Sequence, residues 1–146
     1  MRSKLIKYAP LLRQVGSFGL IGTLGFLIDA SLLLGLTGLG ANAYAARACS
    51  FLCAASAAWY LNRRFTFRHG ASDAVGVEWL RYLAVNLVGA ILNLGTYAVL
   101  LSLVPTRGPL LSILGVAAGS IAGMCSNFTL ARVIVFKMAA ARPEAS

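Results

Sequence analysis

Residues 15–36 read VGSFGLIGTLGFLIDASLLLGL, an apolar run whose only charge is Asp29. A helix rising ~1.5 Å per residue needs about 20 such residues to cross a hydrocarbon layer of ~30 Å, so this run can span a bilayer. Three further stretches pass the same test. Ala43 to Leu61 carries only Arg47, while Leu83 to Val104 and Leu110 to Ala131 carry no charge. The basic start, MRSKLIKYAPLLR, has the look of a signal peptide. The apolar run behind it exceeds the ~7–15 residues of a signal core, so an uncleaved first helix is expected.

Composition agrees with a lipid solvent. Of 146 residues 59% are hydrophobic and 12% are charged, with 13 Lys+Arg against 4 Asp+Glu. A soluble domain carries ~25% charged residues, too many for this chain to be one. Nucleic-acid binding is excluded as well, because the basic residues sit between long uncharged runs and not across a polar surface. Arg2, Lys4, Lys7 and Arg13 precede span one; Arg63, Arg64, Arg68 and Arg81 separate spans two and three; Arg132, Lys137 and Arg142 follow span four. Of the two opposite loops, Thr37–Asn42 has no charge and Pro105–Pro109 only Arg107. This bias puts both termini and the middle loop in the cytoplasm. The expected fold is an all-α membrane protein with four transmembrane helices, a single domain over 1–146. Its cytoplasmic Arg and Lys suit anionic lipid headgroups. The loop HGASDAVGV, His69–Val77, is small and polar and is expected to be flexible. Cys49, Cys53 and Cys125 lie in apolar runs without CxxC spacing, and the lone His69 is in the loop, so neither a metal site nor a cofactor is expected.

The chain reads twice. A shift of 64 residues lays Ser17, Phe18, Gly22, Gly25 and Asp29 onto Arg81, Tyr82, Asn86, Gly89 and Asn93, and a shift of 69 lays Arg63, Phe67 and Arg68 onto Arg132, Phe136 and Lys137. Repeat one runs over about 14–68 and repeat two over about 79–137, joined by a cytoplasmic loop, 69–78. Two hairpins of equal orientation make a parallel repeat about an axis along the membrane normal. Gly115, Gly119 and Gly123 recur every four residues in span four, as do Ser50, Ala54 and Ala58 in span two. Such ridges let helix backbones approach closely in lipid. Gly16, Gly19, Gly22 and Gly25 recur every three and are expected to serve packing in span one.

Two charges lie inside the spans. Asp29 and Arg47 each cost at least ~2.5 kcal/mol near the bilayer centre unless paired. Their depths below the outer ends of their spans differ by roughly 5 Å, so they are expected to pair, either as a structural clamp or as a group handling phosphate or protons. Asn86, Gly89 and Asn93 share one face of span three, and Asn127 lies in span four. Those amides either join the helices or line a polar path. At the cytoplasmic ends stand Asn62-Arg63-Arg64-Phe65-Thr66-Phe67-Arg68 and Arg132-Val133-Ile134-Val135-Phe136-Lys137. Guanidinium groups give planar, multi-donor contacts to phosphate, and both hairpins repeat Arg-x-x-x-Phe-basic, which simple positive-inside placement does not require.

These residues resemble the GtrA-like family of small four-helix bacterial membrane proteins, over about Gly16 to Lys137. The likeness is carried by Phe18-Gly19-Leu20-Ile21-Gly22, by Asp29, by Asn62-Arg63-Arg64-Phe65-Thr66-Phe67 and by its echo Arg132-Val133-Ile134-Val135-Phe136. Where the family has a basic residue before the first aromatic, this chain has Ser17, with Arg81 in the second copy. The resemblance implies flipping of a polyprenyl-phosphate-linked monosaccharide from the cytoplasmic to the outer leaflet, for decoration of cell-surface polysaccharide, without an enzymatic step. Arg63, Arg64 and Arg132, with Asn62 beside them, would gather the phosphate. Asn86, Asn93 and Asn127 would bond sugar hydroxyls, and Arg47 would receive the phosphate on the far side. A homo-oligomer or a membrane glycosyltransferase is the expected protein partner.

Two other readings stand beside this one. The chain could anchor or regulate a glycosyltransferase, docking it through its basic ends and Glu78-Trp79-Leu80-Arg81-Tyr82. It could also be a small cation/proton antiporter using Asp29, although the one-sided charge and Arg47 oppose a cationic substrate. The topology has a direct test. Single cysteines at positions 63 and 132, in a background lacking the native ones, should both react with an impermeant maleimide only from the cytoplasmic side; opposite sides would refute the like-oriented hairpins.

Overall fold

The protein is described by a computed structural model covering residues 2–104 and 109–137; Arg107 and Arg142 therefore lie outside the described residues. All regular structure among the described residues is helical: α1 (Arg2–Gly38), α2 (Ala43–Leu61), α3 (Val75–Leu103) and α4 (Pro109–Leu130). A π-helical turn follows α2 at Asn62–Thr66, and another follows α4 at Ala131–Val135. The chain separates into two compact units between Val75 and Gly76, so that α1–α2 and α3–α4 each form a hairpin.

Helix α1 is longer than its apolar run. Its 37 residues pass through Pro10 without a break and reach ~55 Å, so the basic first turns extend beyond a ~30 Å hydrocarbon layer. Its C-terminus closes on Gly40, whose φ of +84° suits a residue without a Cβ. Ala41 N donates to Leu36 O and Gly40 N to Thr37 O, each at 3.0 Å, in a Schellman arrangement. Asn42 then caps α2 by accepting from Tyr44 N at 2.9 Å and Ala45 N at 3.3 Å. Helix α3 begins at Val75, well before the expected Leu83, with Glu78 in its favourable first turn.

Three described helical segments are long and apolar enough to cross a membrane: Tyr8–Gly38, Val75–Leu103 and Leu114–Val135. Helix α2 is not among them, so three of the four expected spans are borne out by length and composition. Its inward face is built of Ala46, Ser50, Ala54, Ala55 and Ala58, small side chains that permit close contact with a neighbouring helix, and Arg47 lowers the helix's hydropathy. Outward faces are strongly apolar. Leu20, Phe26, Ile91 and Leu94 are 65–69% exposed, on a scale that water would not tolerate but lipid does.

The two hairpins share internal contacts that follow the sequence repeat. Phe67 N donates to Asn62 O at 2.8 Å in the first π turn, and Phe136 N to Ala131 O at 2.9 Å in the second. Phe18 meets Phe67 edge-on with centroids 6.0 Å apart, and Tyr82 meets Phe136 in the same way at 6.3 Å. All four rings are buried. A π turn holds one extra residue and rotates the next positions by about 100°. In both hairpins the aromatic just after the turn is buried against the first helix.

Close approach makes the rest of the packing. On α4, an added Cβ at Gly115 would lie 2.9 Å from the Tyr97 ring, at Gly119 2.5 Å from Asn93 O, and at Gly123 2.9 Å from Gly89 O. In hairpin one an added Cβ at Gly25 would lie 3.5 Å from the Ala58 Cβ, an ordinary van der Waals contact. Gly16, Gly19 and Gly22 have nothing within 4 Å, so the packing expected of all four holds for Gly25 alone. Each step of three falls about 60° short of a full turn, which carries Gly16 to the side opposite Gly25.

Gly119→Ala should therefore lower thermal stability in detergent by about 1–3 kcal/mol, since its methyl would meet backbone. Gly16→Ala and Gly22→Ala should leave the melting temperature unchanged or slightly raised; equal effects at all three sites would contradict this packing.

Candidate functional site

The polar residues fall into three groups. The first π turn gathers Asn62, Arg63 and Arg64. Asn62 is 1% exposed, and its carbonyl is the acceptor that closes the turn. Thr66 is tied to the start of hairpin one by a 2.7 Å hydrogen bond with Ser17, so the serine that replaces a basic residue here has a structural partner. Arg63 donates from Nη1 to Ser72 O at 2.9 Å and rests 5.9 Å from the Trp59 ring centroid. That bond ties the loop after the turn to hairpin one. Within that loop Ala74 N also donates to Ser72 Oγ and Val75 N to Asp73 O. Arg64 is exposed, with its guanidinium 5.9 Å from the Phe65 ring.

Arg132 occupies the place of Arg63 in the second π turn but differs in its surroundings. It is half-buried, and its Nε is buried with no hydrogen-bond partner. A donor on a permanently charged group, held out of water and unsatisfied, is costly, and a phosphate oxygen would remove that cost.

The amides of hairpin two occupy a second position. Asn127 projects from α4 onto Gly89 of α3, where any Cβ would collide with its side chain. Reciprocally, Asn93 of α3 lies on Gly119 of α4, with an added Cβ 2.6 Å from Asn93 Oδ1. Each helix thus contributes a glycine that seats the other's asparagine. Asn127 Oδ1 is buried and unpartnered. Asn86 is separate from this arrangement: its Nδ2 donates back to Tyr82 O at 2.8 Å, within its own helix. Gly25 and the pair Gly89 and Asn93 each turn towards the second helix of their own hairpin, so that face is used within the hairpin.

In hairpin one the structure brings Asp29 and Arg47 together, Arg47 Nη1 donating to Asp29 Oδ2 at 2.5 Å. The Arg47 side chain is 54% exposed and that of Asp29 18%. Asp29 Oδ1 is buried without a partner.

Two residues were not picked out by sequence reasoning as site residues. Gln14 Oε1 is buried and unpartnered one turn before Phe18, and an uncharged side chain ahead of an apolar run gives no signal of it. Glu78 is 1% exposed, and Tyr82 beside it is 2% exposed, which removes both from the docking surface expected of that segment. Trp79, Leu80 and Arg81 remain accessible.

Residues 17–136 match the family model described as GtrA/DPMS, transmembrane domain. No curated protein matches the chain.

The ion pair yields its own prediction. Arg47→Ala leaves Asp29 uncompensated in the span and should cut membrane level and thermal stability, with ~2.5–3.5 kcal/mol at stake on insertion scales. The double variant Asp29→Asn, Arg47→Leu should recover most of that loss. Equal losses in the single and double variants would show that the pair is not what stabilises the hairpin.

Proposed function

The chain belongs to the GtrA/DPMS transmembrane-domain family, a membrane protein fitted to handling glycosyl lipids, and from that premise we propose that it flips a polyprenyl-phosphate-linked monosaccharide from the cytoplasmic to the outer leaflet of a bacterial inner membrane, supplying sugar for cell-surface polysaccharide. In this reading four helices span the bilayer, α2 returning beneath its small-residue face, and both π turns lie on the cytoplasmic side.

The observation that carries the proposal is the buried, unsatisfied Nε of Arg132. It sits at the basic end of α4, a helix without a charged residue, where a phosphodiester entering from the cytoplasmic leaflet would meet it first. Arg63, already bonded to Ser72, and exposed Arg64 add positive charge at the matching turn of hairpin one. The prenyl tail stays in lipid against the apolar outer faces, and the protein has to shield only the head. Arg47, loosened from Asp29, receives the phosphate at the outer side. No chemical bond is made or broken, so the protein is a carrier and not an enzyme.

A scaffold role for a membrane glycosyltransferase is the second reading, favoured by accessible Trp79, Leu80 and Arg81 at the start of α3. Reconstitution separates the two. Purified protein in liposomes, without any partner, should equilibrate a labelled polyprenyl-phosphate hexose between leaflets. Arg132→Ala should slow transfer at least tenfold at unchanged protein level, and Arg63→Ala should slow it less, because Arg63 is partly spent on Ser72. No transfer by the unaltered protein, with stable co-purification of a transferase, would establish the scaffold instead.

A further inference from the structure

What drives the lipid outward can be read from where the chain keeps its acids. There are four, Asp29, Asp73, Glu78 and Glu144. Asp73 lies in the loop before α3, and Glu144 is outside the described residues. The two in described helices are far apart in depth. Glu78 belongs to the first turn of α3, at the end of its hairpin that carries the π turn. Under the shift of 64 residues it takes the place of Gln14, and the 15-residue step from Gln14 to Asp29 is ~22 Å of helix rise. That is most of a ~30 Å hydrocarbon layer, so Glu78 and Asp29 answer to opposite membrane surfaces. The described spans hold no third carboxylate and no histidine to relay a proton between those depths.

Asp29 is moreover matched where it stands. Arg47 Nη1 donates to its Oδ2, so the pair adds no net charge to hairpin one. The cation is the open member, 54% exposed against 18% for the acid, so an arriving phosphate meets the guanidinium while the carboxylate stays in place. A phosphodiester carries one negative charge near neutral pH. The site with its cargo then carries that same single charge, whichever of its two acceptors Arg47 favours. A proton taken by Asp29 during the exchange returns to the outer side from which it came, and one taken by Glu78 returns to the cytoplasm.

Resting on the flippase reading for the identity of the lipid, we infer that the transfer is electrogenic: the lipid crosses as an anion, no ion travels with it or against it, and the membrane potential, negative inside, is the driving force. The field acts on the phosphodiester alone, because the embedded charges of the protein cancel and those at the hairpin ends stay at their surface. One elementary charge changes its distribution between leaflets tenfold for every ~59 mV.

The full chain in liposomes of zwitterionic phospholipid tests this, with a trace of radiolabelled polyprenyl-phosphate hexose scored as outward-facing by oxidation with impermeant periodate. Valinomycin and chosen potassium gradients set the potential at equal pH on both sides. The endpoint ratio of outer to inner leaflet should rise tenfold for every ~59 mV of interior-negative potential and fall as much when the polarity is reversed. Being an equilibrium, it should not depend on which way the protein has inserted. A gradient of one pH unit at zero potential should leave the ratio unchanged. Exchange whose endpoint ignores the potential shows that a cation accompanies the phosphate, and a tenfold shift with the pH gradient identifies that cation as a proton; either result overturns the inference and leaves flipping intact. Absence of exchange at zero potential overturns flipping itself, and the inference falls with it.

Discussion

Everything in this structure depends on two helices of a hairpin coming close enough to touch through their backbones. Lipid tails are as apolar as leucine, so burying hydrophobic surface gains little between helices in a bilayer, and contact has to come from dispersion and hydrogen bonding at short range. Gly119 and Gly123 against Asn93 and Gly89 are where that approach is made, and Gly25 meets Ala58 in ordinary contact. The large apolar side chains are pushed outward as a consequence, and Leu20, Phe26, Ile91 and Leu94 become the surface offered to lipid.

Close approach also explains how polar groups survive in the spans. Asn127 and Asn93 are accommodated because a glycine on the facing helix leaves room for each amide. The ion pair of hairpin one is a different solution to the same problem, since Asp29 and Arg47 compensate each other and the neighbouring contact stays apolar. The two hairpins thus share a frame with different chemistry, charge compensation in one half and uncharged amides seated on glycines in the other.

The π turns supply the remaining constraint. By inserting one residue into the helical ladder they end each hairpin with its arginine at the boundary and its following aromatic buried, Phe67 on Phe18 and Phe136 on Tyr82. The aromatic contact anchors the turn, which leaves the neighbouring guanidinium groups to be distinguished by local bonding. Arg63 is engaged by Ser72 and Trp59, whereas Arg132 keeps an unsatisfied Nε.

Hydropathy, charge order and the offset between the two copies were enough to read the helical class, the helix pairs, the ends of α2 and the residues at which the copies correspond, because those properties depend on residue type and on spacing along one chain. The same information suggested that Asp29 and Arg47 meet, through matched depth. It did not separate Gly25 from Gly16, Arg132 from Arg63, or Asn127 from Asn86, since members of each set have the same residue type and similar neighbours in sequence. Nor did it show that Glu78 is buried. Those distinctions depend on which atoms stand within a few ångströms across a helix interface, and only the tertiary packing sets that, because a rotation of about 100° per residue turns adjacent positions to different surroundings.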